Sequence, residues 1–147
     1  MKARVIKLIS NKWTVQLNDE LIDCSCIGKF KYLNITPKVG DIVDVDIENK
    51  VINKIYERKN ELIRPPVSNI DYAIILTSCK EPLFSSFLLD KMIAIISYNN
   101  ITPVICFTKY DLLNDTKEID NYIKYYKSIG YEVFINDELD KIIISPV

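Results

Sequence analysis

The chain has 147 residues, enough for one ordinary domain or two small ones, and its apolar content of 48% can fill a core. Its apolar runs are too short to cross a bilayer and its first residues lack the apolar core of a signal peptide, so we expect a cytoplasmic protein without a membrane partner. The net charge of −1 is uneven, since residues 1–68 hold 12 Lys and Arg against 9 Asp and Glu, whereas residues 69–147 hold 7 against 11. This asymmetry favours two units with different partners.

Short strands dominate the first 57 residues. Apolar and polar residues alternate from Trp13 to Leu17, as in a half-buried strand. Further strand patterns cover residues 4–9, 21–27, 42–47 and 51–56, and a basic loop runs from Gly28 to Lys31. Five strands in so short a segment predict an all-β closed barrel over residues 1–57. The OB-fold fits this length, and its sheet face and loops commonly bind oligonucleotides.

Residues 58–70 have the composition of a linker between two domains. Pro65 and Pro66 fix the backbone and cannot donate to a strand ladder. We therefore place the domain boundary here, between the barrel and a second domain at residues 71–147.

The second domain alternates strands with helices. An apolar strand at 72–77 precedes a helix capped by Ser85 or Ser86, and a second strand covers 103–107. A polar helix at 115–128 ends before Gly130, a third strand covers 131–135, and a further short strand covers 142–144. This β-α-β-α-β order predicts a parallel sheet. The residues expected to face it are Phe87, Leu88, Met92, Ile95 and Ile96 of the first helix, and Ile119, Ile123 and Tyr126 of the second.

The strand at 103–107 ends in the polar residues Thr108, Lys109 and Asp111, where it should leave its sheet. Ligands of open α/β sheets bind beyond the carboxyl ends of the strands. Guanine offers two adjacent donors, its ring N–H and its exocyclic amine, and one aspartate can accept both, whereas adenine lacks that pair. The lysine stem can lie over the base while its charge stays hydrated. The pattern favours a guanine-binding loop, and the alternative is a solvated loop after a core strand.

Lysines and aromatic residues lie close together within residues 1–38, the basic part of the chain. The candidates for RNA contact are Lys12, Trp13, Lys29, Phe30 and Lys31, with lysines on phosphates and rings stacked on bases. The alternative is an ordinary hydrated barrel surface with Trp13 in the core. RNA binding predicts an affinity that falls as the salt concentration rises.

Neither a metal site nor a catalytic group is predicted from the residue types. Cys24 and Cys26 fall on one strand face, but Cys79 and Cys106 belong to the other predicted domain, so small core residues are the better interpretation. The chain has no histidine, so its serines and cysteines lack the usual base.

Several stretches carry a family pattern in a fixed order. They are Gly28-Lys29-Phe30-Lys31, Pro-x-Val-Gly-Asp at 37–41, Arg-Pro-Pro-Val at 64–67, Leu89-Asp90-Lys91 and Lys-x-Asp-Leu at 109–112. In order and spacing, residues 1–131 resemble the small ribosomal subunit biogenesis GTPase family RsgA, also called YjeQ/YloQ. An Arg-Pro-Pro-Val stretch joined to a guanine motif is a specific combination.

This resemblance implies an OB-fold followed by a circularly permuted, P-loop GTPase-like α/β domain whose guanine motif precedes its phosphate loop. It implies that Thr108, Lys109 and Asp111 bind the guanine of GTP or GDP with Mg²⁺, although Thr108 stands where asparagine is commoner. It further implies binding to the 30S ribosomal subunit and 16S rRNA, GTP hydrolysis stimulated by that subunit, and a role in late 30S maturation. The family's C-terminal domain binds zinc through cysteines and a histidine.

Two parts of that family are absent from the sequence. No Gly-x-x-x-x-Gly-Lys-Ser/Thr phosphate loop occurs, and without a histidine the zinc domain is absent as well. We therefore expect a truncated relative with a partial α/β domain that does not hydrolyse GTP alone. We expect a monomer, although a partial sheet leaves an open edge and apolar faces that favour self-association. The alternative function is a non-enzymatic OB-fold RNA-binding module with a degenerate GTPase remnant.

Overall fold

A computed structural model describes residues 1–137 and divides the chain after Ile70 into two compact units. The first unit, Met1–Ile70, is built on a closed barrel with the strand order β1-β2-β3-β5-β4. Its strands are β1 (Lys2–Ile9), β2 (Lys12–Leu17), β3 (Glu20–Cys26), β4 (Ile42–Asp46) and β5 (Val51–Ile55). The predicted OB-like barrel is confirmed. The predicted basic loop is instead a short helix, α1 (Lys29–Tyr32).

Alternation along the strands explains why this segment closes into a barrel. Val5, Val15, Val43 and Ile52 are all fully buried, and their polar sequence neighbours point outward. The β1–β2 turn supports the hairpin, because Ser10 and Asn11 adopt the positive φ values of 48° and 62° that two-residue hairpin turns require. Each barrel strand thus has two neighbours, which removes free sheet edges.

The segment 58–70, predicted as a linker, packs on the barrel and belongs to the first unit. Its short strands β6 (Glu61–Leu62) and β7 (Val67–Ser68) pair antiparallel. The fully buried carboxylate of Asp41 accepts hydrogen bonds from Arg58 Nε at 2.7 Å, Arg58 Nη2 at 2.8 Å and Ser68 Oγ at 2.5 Å. The Lys38 amide donates to it as well, at 2.7 Å. A polar network of this kind makes residues 58–70 part of the first unit.

The second unit begins at Asp71 and contains the predicted parallel α/β arrangement. Its elements are β8 (Tyr72–Ser78), α2 (Ser86–Tyr98), β9 (Thr102–Thr108), a 3₁₀ turn (Tyr110–Leu112), α3 (Lys117–Ser128) and β10 (Glu132–Ile135). The three strands are parallel, in the order β10-β9-β8. The strand predicted at 142–144 lies outside the described residues. None of the described helices is long and apolar enough to cross a membrane.

The predicted inner face of α2 is largely wrong. The helix buries Leu89 and Ile93 and packs Ile96 beside them, whereas the residues predicted to face inward are 48–75% exposed; these are Phe87, Leu88, Met92 and Ile95. The helix is apolar on nearly every side, so its sequence period does not select a face. For α3 the predicted face is confirmed, since Ile119 and Tyr126 are buried and Ile123 packs against the same core.

Strand β8 lies at the edge of the described sheet. Among the described strands it pairs only with β9, and Leu76 is 61% exposed. Beside it, a groove of about 410 Å³ runs along α2, lined by apolar side chains that include Leu76, Leu88, Met92 and Ile95.

Candidate guanine-binding site

The three predicted guanine-binding residues lie at the carboxyl edge of the parallel sheet. Thr108 ends β9, where it pairs with Ser78 at the end of β8, and Ile135 ends β10 beside Phe107. The segments that follow these three strands therefore emerge at one edge. Sheets of this type bind their ligands there.

Thr108 anchors the loop to β8. Its hydroxyl contacts the carbonyl oxygen of Thr77 at 3.4 Å, and its own carbonyl accepts the Cys79 N–H at 3.0 Å. The side chain is half-buried. This residue therefore fixes where the loop leaves the sheet.

Lys109 begins the turn in a left-handed backbone conformation, with φ at 59°. Non-glycine residues adopt this conformation rarely, and it often marks a functional site. The exposed ammonium group donates to the carbonyl oxygen of Glu81, while Lys80 donates to the carbonyl oxygen of Leu112 at 3.2 Å. Two lysines thus link the loop after β8 to the loop after β9.

Asp111 lies in the 3₁₀ turn with its carboxylate exposed to solvent. Its Oδ1 accepts a hydrogen bond from Asn136 Nδ2 at 3.2 Å. The same 3₁₀ turn is joined to α3 by the Tyr110 hydroxyl, which donates to Asp120 Oδ1 at 2.7 Å. That hydrogen bond raises the pKa of Tyr110 and lowers the pKa of Asp120. The Asp111 carboxylate is therefore accessible to solvent and lies on a turn that hydrogen bonds hold in place. A base with two adjacent N–H donors, such as guanine, requires an acceptor of this kind.

Asn136 contacts the candidate site, and the sequence interpretation did not include it. It follows β10 directly, so the parallel topology brings it to the edge where Asp111 lies. The available signal was a polar residue immediately after a predicted strand, which is the same signal that identified Thr108 and Asp111.

The predicted RNA-binding residues divide into two groups. Lys12, Lys29 and Lys31 are exposed, as phosphate contacts require. Trp13 is only 9% exposed and donates its indole N–H to the Pro37 carbonyl at 3.1 Å, and Phe30 is 7% exposed in the same core. Both rings therefore pack in the barrel core, whereas base stacking would require an exposed ring face.

The cysteines behave as small core residues. Cys24, Cys79 and Cys106 are buried and Cys26 is half-buried. Burial raises the pKa of Cys26 and of Cys79 to about 11 in each case, which keeps both thiols protonated at neutral pH. Within residues 1–137, no three His, Cys, Asp or Glu side chains converge in a way that could hold a metal ion.

Known proteins match both units. A family model described as the RsgA N-terminal domain matches residues 2–53, and one described as the RsgA GTPase matches residues 55–145. The small ribosomal subunit biogenesis GTPase RsgA 2 of Listeria innocua is 41% identical over 147 residues, covering 96% of this chain and 50% of that protein. The RsgA of Bacillus cytotoxicus is 39% identical, covering 90% of this chain and 47% of that protein.

Two solved structures share the fold. The crystal structure of YloQ, described as a circularly permuted GTPase, superposes with a TM-score of 0.79 at 36% identity, over 97% of this chain and 55% of that one. YjeQ from Thermotoga maritima gives a TM-score of 0.77 at 28% identity, over 95% and 55%. The chain spans about half the length of the curated relatives it matches.

Proposed function

Because the chain belongs to the RsgA GTPase family, we propose that it supplies two parts of a ribosome-dependent GTPase: a guanine-recognition loop and an RNA-binding barrel. The whole protein acts in late maturation of the 30S subunit in the cytoplasm, as a monomer that binds GTP or GDP and 16S rRNA. The single observation that carries the nucleotide part is the exposed carboxylate of Asp111, held on a braced turn at the carboxyl edge of a parallel sheet.

Guanine recognition follows from the chemistry of this edge. The carboxylate of Asp111 accepts the ring N–H and the exocyclic amine of guanine together, and each charge-assisted bond contributes about 1.5–3 kcal/mol. Thr108 holds the loop to β8, and Lys109 closes the loop over the turn that follows β8. These residues select the base and leave the phosphates to other groups.

Hydrolysis is not expected from this chain alone. Phosphates and Mg²⁺ are held in such enzymes by a glycine-rich phosphate loop, and the three glycines here do not form one. We assign no residue of this chain to Mg²⁺ or to zinc. The chain therefore binds nucleotide weakly, through the base alone.

Nucleotide titration tests the base contact. GDP added to the ¹⁵N-labelled chain should shift the amides of residues 108–112, and Asp111→Ala should abolish these shifts. Asp111→Asn should transfer the preference to xanthosine diphosphate, because an amide donates to the oxygen that replaces the guanine amine. The matched control is Glu118→Ala, which removes an exposed carboxylate from α3 and should leave GDP binding unchanged.

RNA binding is tested on the barrel lysines. Combined replacement of Lys12, Lys29 and Lys31 by alanine should weaken binding to a 16S rRNA fragment and lower the salt slope by about 0.7 per lost phosphate contact. Lys117→Ala, in the acidic second unit, is the control. Intact RNA binding without any GDP response would favour the second candidate function, a non-enzymatic RNA-binding module.

A further inference from the structure

The side chain of Asn136 joins the end of β10 to the turn that carries Asp111. Its Oδ1 accepts the backbone N–H of Tyr110 at 3.2 Å. Its Nδ2 donates to Asp111 Oδ1 at 3.2 Å and to Asp137 Oδ1 at 3.1 Å. One half-buried amide therefore contacts three neighbouring residues, two of them carboxylates.

The Tyr110 contact fixes which way the amide faces. A backbone N–H can only donate, so the carbonyl oxygen of Asn136 must face Tyr110. The NH₂ group is then directed at the carboxylates of Asp111 and Asp137. The orientation of this side chain is thus set by its own hydrogen bonds.

The amide also bridges two carboxylates of the same charge. Asp111 and Asp137 are both exposed, and each uses its Oδ1 to accept from the same NH₂ group. Exposed carboxylates otherwise rotate freely between staggered conformers, and two of them repel each other. The shared donor holds Asp111 in one orientation.

We propose that Asn136 is a positioning residue for guanine specificity, one that aims the Asp111 carboxylate so that it accepts both donors of the base. The inference rests on the proposed guanine binding at Asp111. Each carboxylate oxygen has two lone pairs, so Oδ1 can accept from Asn136 and from the base together, and Oδ2 takes the second base donor. Asn136 contacts the Asp111 carboxylate, and Asp111 alone of the two binds the base.

A purely structural role for Asn136 leads to a different outcome. If the side chain only joins two loops, its loss weakens binding of every purine nucleotide to the same extent. If Asn136 orients the Asp111 carboxylate, removing its side chain mainly weakens the hydrogen bond between Asp111 and the exocyclic amine of guanine. The ratio of affinities for GDP and inosine diphosphate, which lacks that amine, separates the two roles.

The experiment compares the full chain with two variants by ¹⁵N NMR titration against GDP and inosine diphosphate. Asn136→Leu removes both the donor and the acceptor at similar volume. It should lower the GDP-to-inosine-diphosphate affinity ratio by about tenfold, the size of one charge-assisted hydrogen bond. Asn136→Asp keeps the acceptor for Tyr110 and loses the donor, so it retains the loop contact and should lower the ratio as well. It therefore decides the question if the leucine variant fails to fold.

The control is Asn49→Leu, which removes a similar contact between Asn49 Nδ2 and Asp46, 2.7 Å long, from the first unit. It should leave the ratio unchanged. A wild-type chain that prefers GDP, together with variants that keep the wild-type ratio, overturns the role of Asn136 while the proposed function stands. A wild-type chain that binds neither nucleotide overturns the proposed function and the inference with it.

Discussion

The two units of this chain differ in whether the edges of their sheets are paired. The barrel pairs every one of its five strands on both sides, and its core is enclosed by those strands. The described part of the second unit is a three-stranded sheet in which β8 has one neighbour, and α2 leaves apolar side chains exposed beside it. The barrel therefore leaves no strand edge open, whereas the described part of the second unit leaves a strand edge and apolar side chains exposed.

Two aspartates show the same contrast at the level of single side chains. Asp41 is fully buried and accepts from Arg58, Ser68 and the Lys38 amide, so its carboxylate is saturated. Asp111 is exposed and accepts from one amide group. A carboxylate whose lone pairs are already occupied supports the fold, whereas one with open lone pairs and a fixed orientation can recognise a ligand.

Gly40→Ala should strongly destabilise the first unit. A Cβ at this position would lie 2.0 Å from the Ser68 carbonyl oxygen, on a residue with φ at +99°. Strain and steric overlap together should cost about 4 kcal/mol of unfolding free energy. Urea unfolding followed by the fluorescence of Trp13, the chain's one tryptophan, measures this. Gly28→Ala is the control, because nothing lies within 4 Å of its added Cβ.

Ile93→Ala should destabilise the second unit by about 3 kcal/mol, because it removes buried methyl groups and leaves a cavity. Met92→Ala, one position earlier on the same helix, should change the unfolding free energy by less than about 0.5 kcal/mol. The two side chains are 6% and 51% exposed. Hydrogen exchange of the α2 amides measures both, and equal losses would contradict the observed face of the helix.

Asp41→Asn should cost the first unit about 2 kcal/mol, since an amide cannot accept from all the donors that surround this carboxylate. Trp13 fluorescence in urea again provides the measurement. Asp19→Asn changes an exposed turn residue in the same unit and should have no measurable effect. A similar loss in both variants would show that charge alone, and not the buried network, is responsible.

Acid should reproduce part of that loss in the wild-type chain. Burial opposes ionisation of Asp41, but the hydrogen bonds from Arg58, the Lys38 amide and Ser68 outweigh it, so the pKa of Asp41 falls below its usual 3.8. A lowered folded pKa stabilises the fold above the unfolded value, and this contribution is lost as the pH falls through the folded value. Unfolding free energy should therefore decrease below a pH of about 4. The decrease should be smaller in Asp41→Asn.

Ser85→Ala should have the smallest effect, about 1 kcal/mol on the second unit. Its hydroxyl accepts the Leu88 N–H at 3.3 Å and so caps α2. Ser86→Ala, inside the first turn, is the control and should be nearly neutral. Circular dichroism during thermal unfolding distinguishes the two, and a neutral Ser85→Ala would show that packing alone positions this helix.

Much of the fold follows from residue patterns. The alternation around Trp13 and Val15 specifies barrel strands, and the apolar run from Val104 to Phe107 specifies a buried parallel strand. The inner face of α2 could not be predicted, because a helix with apolar residues all round carries no directional signal. The packing of residues 58–70 was missed because Asp41 looks like an ordinary turn residue, and its partners lie 17 and 27 positions later.

Only part of the candidate site could be predicted from the sequence. Thr108, Lys109 and Asp111 are consecutive or nearly so, and a short motif contains them all. Asn136 lies 25 positions after Asp111, and only the parallel pairing of β9 and β10 brings the two together. To predict that two such residues meet, one must know which strands are neighbours in the sheet. Single-sequence patterns do not supply this strand order.

The enclosure of Asp41 by Arg58 and Ser68 also sets an order of events during translation. The chain emerges from its amino end, so all five barrel strands leave the exit tunnel before Ser68 does. Until then the Asp41 carboxylate remains hydrated and the barrel lacks its last polar contacts. A nascent chain arrested so that residues 1–57 have left the tunnel and Ser68 has not should be cleaved by protease within the barrel. One arrested so that residue 70 has also left the tunnel should resist cleavage.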